Sequence, residues 1–386
     1  MDYMLTDDQK MIVELTRKIA EEKIAPVAAH YDETEEFPWD IMKILAESDL
    51  CGVYIPEEYG GLGGGVFELA LVTEELSKAC GGIAICFAAT ALGTYPILLF
   101  GSDEQKKRFL PDIASGKKLA AFGLTEANAG SDAGAIQTVA KKEGDHYILN
   151  GTKQWITNGG EAETYTVVAM TDRDKGARGA TAFILDKGME GFTFGKKEKK
   201  LGIRGSATRE LVFTDCKVPA DRVLGKEGQG FIAAMRTFDA SRPGVAAQAL
   251  GIAAGALEDS IKYSRQRVQF GKPISSFQAI QHMLADMATQ VEAARALIYA
   301  VARMIDKGDT KEIAKYSAMT KVFASDVAMK VTTDAVQIFG GYGYMREYPV
   351  EKRMRDAKIT QIYEGTNQIQ RNVIALQLIK EAAKGK

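Results

Sequence analysis

A chain of 386 residues, 46% of them hydrophobic, is long enough for about two to three domains with sizeable cores. Its formal net charge of −2 argues against nucleic acid as a partner. Cys51, Cys80, Cys86 and Cys216 lack zinc-ligand or CxxC spacing, so they read as free thiols. His30, His146 and His282 lie far apart, which argues against a metal site or a Ser-His-Asp relay.

The first residues carry acids and no apolar core of the kind a signal or transit peptide needs, which predicts a cytoplasmic location. Thr6 and Gln9 form a capping box, and Met11, Ile12, Leu15 and Ile19 then line one helical face. The glycine-rich run EEYGGLGGGVFELA opens another helix. It departs from G-x-G-x-x-G, so its glycines read as turn residues with no phosphate role. Val66 to Leu76 and Gln105 to Ile113 continue the helical pattern. Between them, residues 81–101 carry no charge and are long enough to span a bilayer. Gly93, Thr94 and Pro96 predict a break there. The expected form is a buried helix to about Ala91, a turn and a second apolar element, with no membrane span.

From about residue 121 the texture changes. QTVAKKEGDHYILNG predicts a hairpin around Glu143, Gly144 and Asp145. YTVVAMT, TAFILD, GFTFGK and RELVFTDCKV are short runs rich in β-branched and aromatic residues, separated by turns. They predict a mostly antiparallel β domain. After Gly228, residues 244–265, 277–305, 311–339 and 367–382 carry apolar residues at helical spacing and predict a four-helix bundle. The fold class is α+β in three parts: a helical domain over 1–120, a β domain over 121–228 and a helical bundle over 229–386.

The stretch KITQIYEGTNQIQ sets one carboxylate, Glu364, in a turn before the last helix, with Asn367 and Gln370 spaced as a capping pair. Taken alone, Glu364 reads as a solvated loop residue. Its neighbours in the chain change that reading. GLTEANAGSDAG (123–134), QWITNGG (154–160), RQRVQFGKPI (265–274), QIFGGYGY (337–344) and MRDAKITQIYEGTNQIQR (354–371) occur in that order. Together they resemble the acyl-CoA dehydrogenase family over nearly the whole chain, its short- and medium-chain branch above all.

The resemblance implies an FAD-dependent enzyme of the fatty-acid β-oxidation type, which converts an acyl-CoA to the 2-enoyl-CoA. Glu364 would be the base that takes the α proton, because burial makes a carboxylate more basic. FAD would accept the β hydride, since no side chain can. Gly365 would let the thioester approach closely. In some branches of the family the base stands on a helix just before an arginine. Here that position holds Ser241 before Arg242, so Glu364 has no rival. Arg242, with Asp239 nearby, would hold the CoA portion. Alone, Arg242 reads as a helix-start arginine in an ion pair.

Leu124, Thr125, Gly130 and Ser131 resemble the loop that meets the flavin and the pantetheine, although Ala127 stands where the family usually has proline. Trp155, Ile156 and Thr157 match residues beside the flavin ring. Arg267 and Phe270 match an arm that reaches FAD bound to a neighbouring subunit. Gln278 and the run Gln337, Ile338, Phe339, Gly340 and Gly341 match further contacts to that dinucleotide. Thr366 and Gln368 match contacts at the start of the last helix. The implied partners are an electron-transferring flavoprotein and further copies of the chain, in a homotetramer built as a dimer of dimers. An acyl-CoA oxidase and a catalytically silent flavin- or CoA-binding subunit are the competing readings. Residues 83–100, free of charge, would line a pocket for a short or compact neutral acyl group, with alicyclic and medium straight chains as alternatives.

Overall fold

The computed structural model describes residues 3–308 and 312–384. The N-terminal helices are α1 (Asp7–Ile19), α2 (Ala28–Thr34), α3 (Trp39–Glu47), α4 (Val66–Ala79), α5 (Gly81–Phe100) and α6 (Asp103–Ala114). The Thr6–Gln9 capping box is present in full at the start of α1. The helix opened by the glycine-rich run starts at Val66. Its N-terminus is occupied by the chain's own Asp306, which accepts from Val66 N and Phe67 N at 2.8 Å each.

The break expected inside residues 81–101 is absent: α5 is one helix. Gly93 marks a close approach instead of a turn, since a methyl group there would lie 2.5 Å from Ala121 N. Pro96 falls in the last turns, where the helix is already ending. The helix is long and apolar enough to cross a membrane, but 72% of its most apolar window is buried within the protein.

The strands follow as β1 (Ala120–Gly123), β2 (Val139–Glu143), β3 (His146–Thr157), β4 (Thr164–Met170), β5 (Ala180–Asp186), β6 (Phe192–Phe194), β7 (Thr208–Pro219) and β8 (Val223–Leu224). They form one sheet in the order β6-β7-β3-β2-β4-β5-β8, with β1 also on β4. The pairings of β1 and β2 with β4 are parallel and the rest antiparallel. β2 and β3 form the expected hairpin. The β3–β7 register slips between Lys153 and Ile156, and Trp155 within that bulge has φ 57°. A bulge of this kind re-aims the side chains around it.

The C-terminal helices are α7 (Gly230–Gln266), α8 (Gln278–Asp306), α9 (Ile313–Phe339), α10 (Pro349–Lys358) and α11 (Asn367–Lys384). A small ribbon, β9 (Val268–Gln269) with β10 (Lys272–Pro273), joins α7 to α8. The expected helix start at residue 311, and the outer ends of the first and last expected domains, lie outside the described residues. The expected start of α7 at residue 244 is corrected to Gly230, so the helix runs through Pro243. Proline there cannot bond the carbonyl of Asp239. Ser317 on α9 donates to that carbonyl at 2.7 Å, which satisfies it. α7 is the central element and packs against α4, α5, α8, α9 and α10. All four cysteines are unpaired and buried.

Candidate active site

Glu364 stands in the turn between α10 and α11, with φ 50°, and Gly365 follows with φ 90°. Two successive left-handed residues reverse the chain sharply, and the first is strained for a side-chain-bearing residue. Both carbonyls of the turn are tied down. Gln370 Nε2 donates to Glu364 O at 2.9 Å and to Gly365 O at 3.2 Å. Arg242 Nε adds a longer bond to Glu364 O, at 3.4 Å, and Lys321 Nζ binds Gly365 O at 2.7 Å.

The expected Asn367–Gln370 capping pair is therefore corrected. Thr366 caps the helix, its Oγ1 accepting from Ile369 N. Asn367 turns inward to Lys321, Ser325 and Asp326, and Gln370 reaches back to the turn.

The Glu364 carboxylate accepts a 2.7 Å hydrogen bond from Ser241 Oγ. Arg242, one residue on, pairs with Asp239 at 3.1 Å. Burial pushes the Glu364 carboxyl above its ordinary range, while the Ser241 bond and the charges of Arg242 and Lys321 pull the other way. The Glu364 N–H has no hydrogen-bond partner among the described residues.

Two cavities meet at this turn. The narrow one, about 110 Å³, is walled by Ile85, Leu92 and Tyr95 of α5, Leu69 of α4 and Phe238 of α7, and Glu364 is its only charged lining residue. The wide one, about 640 Å³, has Gly130, Ser131 and Gln154 on one side and Ile362 to Thr366 on the other. Thr125, Trp155, Thr157, Tyr363 and Glu364 line both. Leu124 and Ile156 face the narrow one.

A third cavity, about 410 Å³, gathers Arg267 with Ile338, Phe339, Gly340 and Gly341. It shares no residue with the other two. Phe270 projects with 93% of its surface exposed. Gln278 opens α8, Gln337 lies in the last turn of α9, and the exposed Gln368 lines none of the three cavities. Sequence reasoning missed Ser241 as a donor to Glu364, missed Lys321 altogether, and read Gln370 only as a capping partner of Asn367. Lys321 left a signal: a charge on an otherwise small, uncharged stripe of α9.

Family models for the N-terminal, middle and C-terminal domains of acyl-CoA dehydrogenase match residues 6–117, 121–216 and 228–379. The chain belongs to the acyl-CoA dehydrogenase family. It is 48% identical over 381 residues to a short-chain-specific acyl-CoA dehydrogenase of Clostridium acetobutylicum, covering 98% of this chain and 100% of that one. The solved butyryl-CoA dehydrogenase of Megasphaera elsdenii superposes with a TM-score of 0.95 at 52% identity, over 98% and 100% of the two chains. A chain solved in work on the electron transferring flavoprotein of Acidaminococcus fermentans and flavin-based electron bifurcation gives a TM-score of 0.95 at 54% identity, over 98% and 99%.

Acyl-CoA dehydrogenases are FAD-dependent oxidoreductases. The wide cavity suits such a group in size, since small-molecule sites span roughly 300–1,000 Å³. Trp155 is 56% exposed beside it, an aromatic face open to a planar ring. Lys199 and Lys358 on its wall carry positive charge, while Arg355 there is paired with Asp32 and Glu351.

Proposed function

We propose that this chain catalyses the α,β-dehydrogenation of a short, neutral acyl-CoA to the 2-enoyl-CoA, with Glu364 as the base. The observation that carries the reading is the position of Glu364. It is the single charge in the wall of a narrow apolar pocket, at the point where that pocket opens into a cavity fit for a flavin. An acyl chain in the pocket would bring its α carbon to the carboxylate, which takes the proton. The free Glu364 N–H would donate to the thioester oxygen, where negative charge develops. Bound FAD supplies the acceptor for the β hydride. Leu124, Thr125, Gly130, Ser131, Trp155, Ile156 and Thr157 would hold that group, with Thr366 and Gln368 at the start of α11. Arg242 and Asp239 would steady the CoA portion.

Size supports the short chain. The pocket's 110 Å³ is smaller than the ~150 Å³ of a cavity that takes up benzene, which favours a short straight chain over a ring. Charge supports the neutral one. A second carboxylate would be buried without a cation in the lining, which costs several kcal/mol.

A panel of butyryl-, octanoyl-, cyclohexanecarboxyl- and glutaryl-CoA with a dye acceptor tests the reading. Butyryl-CoA should react fastest. Preference for glutaryl-CoA, or reaction with octanoyl-CoA alone, would overturn it. The likeness to the Acidaminococcus chain supports an electron-transferring flavoprotein as acceptor, so its reduction should outpace peroxide formation in air. A homotetramer is the assembly the family resemblance supports.

A further inference from the structure

We propose that Lys321 is a positioning residue for the base: its ammonium clamps the Glu364–Gly365 turn and sets a positive charge behind the carboxylate. The proposal rests on Glu364 being the base. Lys321 lies on α9 in a stripe of small buried residues, Ser317, Ala318, Ala324, Ser325 and Ala328, and is itself fully buried. Its two acceptors are Gly365 O at 2.7 Å and Asn367 Oδ1 at 2.9 Å, both uncharged. A buried ammonium without a touching carboxylate is costly. The other fully buried lysine among the described residues, Lys153, contrasts with it, since it contacts Glu126 at 2.7 Å.

The charges around Lys321 show which group answers it. On α7, Asp239 is taken by Arg242. On α9, Asp326 is taken by Arg371 of α11 and also accepts from Asn367 and Gln361. Tyr95 of α5 and Tyr363 of the turn are neutral phenols held so by burial. Glu364 is the carboxylate left to balance Lys321. Burial brings the Lys321 pKa down to about 7, and the nearby Glu364 charge works against that fall.

The clamp acts on both tools of the site at once. The carboxylate and the free N–H belong to one residue in a strained conformation, and such conformations persist only where their surroundings hold them. Lys321 supplies the short bond on Gly365 O, and Gln370 the weaker one.

The test uses FAD-loaded Lys321→Met, Lys321→Gln and Lys321→Arg, with kcat/KM for butyryl-CoA followed against pH and melting recorded beside it. In the Met and Gln variants the acid limb should move up by about one pH unit, so that activity on that limb falls about tenfold and returns at higher pH. The Arg variant should keep its limb near that of the parent. An unmoved acid limb in the neutral variants, whatever their melting temperature, overturns the proposal. So does failure of both neutral variants to fold while the Arg variant folds with the parent's profile, because Lys321 is then a folding residue only. Glu364→Gln run alongside separates the claims. If it retains turnover, the base assignment fails. If it is inactive and the Lys321→Met limb stands still, the Lys321 proposal alone fails.

Discussion

As the proposed base, Glu364 would meet two opposed demands: it must be basic enough to take a carbon-bound proton and still be ionised when substrate arrives. Burial raises its pKa and so serves the first demand. The Ser241 hydrogen bond and the charges of Arg242 and Lys321 serve the second. Glu364→Gln keeps the shape and removes the proton acceptor, so turnover should fall by about 10²–10⁴-fold. Retention of more than about a tenth of parental turnover would sink the assignment. Because a carboxyl with a raised folded pKa binds more protons folded than unfolded, its charge costs stability at neutral pH and less as pH falls. Ser241→Ala removes a donor that favours the charged form, so the carboxyl should rise further. The base works only when ionised, and its activity is lost as pH falls through its pKa. The acid limb of kcat/KM should thus shift to higher pH in this variant, with activity recovered at alkaline pH. An unshifted limb would show that the Ser241 bond is idle. Glu364 was legible because five ordered motifs surround it. Ser241 was legible only as a missing carboxylate, since the bond joins residues 123 positions apart and needs the fold to form.

At the scale of elements, both misread helices failed for one reason. Glycine and proline stop a helix only when the surrounding fold does not compensate, and here tertiary contacts do. α7 passes Pro243 because Ser317 takes up the Asp239 carbonyl. α5 passes Gly93 because β1 lies against that position. The same contact makes Gly93 a sensitive site. A Cβ would sit 2.5 Å from Ala121 N and 2.8 Å from Ala120 C, both backbone atoms that cannot rotate away. Gly93→Ala should destabilise by about 1–3 kcal/mol through overpacking, despite its gain in helix propensity. It should also disturb butyryl-CoA turnover, since Leu92 and Tyr95 beside it line the narrow pocket. Denaturant melts and a KM measurement check both effects. An alanine variant as stable as the parent would mean that α5 and β1 stand further apart. The elements that read correctly, such as the β2–β3 hairpin and the capped start of α1, are those whose hydrogen bonds close within a few residues.

The whole molecule places its third cavity apart from the base, and that separation bears on assembly. The three-part order was legible because a period near 3.6 gives way to a period of 2 and then returns. Which parts of the chain would share a site was carried by the family resemblance alone. Around the third cavity, Tyr263 stacks on Phe339 at 4.0 Å, and the Arg267 guanidinium lies 5.2 Å from the Tyr342 ring centre. Phe270, in a left-handed conformation at φ 52°, projects almost wholly exposed at the tip of the β9–β10 ribbon. A bare aromatic held in a strained turn is costly on a free surface, which fits a ribbon that is covered by a second copy. Arg267 would then offer its fork of donors to the pyrophosphate of FAD held by that copy. A cofactor shared in this way couples binding to assembly, because each stabilises the other by mass action. Arg267→Ala should therefore lose FAD on gel filtration at low protein concentration. It should melt lower than the parent, and regain both properties when FAD is added in excess. Turnover per remaining flavin should change little, since Arg267 lines neither cavity that meets Glu364. If the parental chain runs as a monomer with its full complement of FAD, the coupling does not exist and the ribbon serves some other contact.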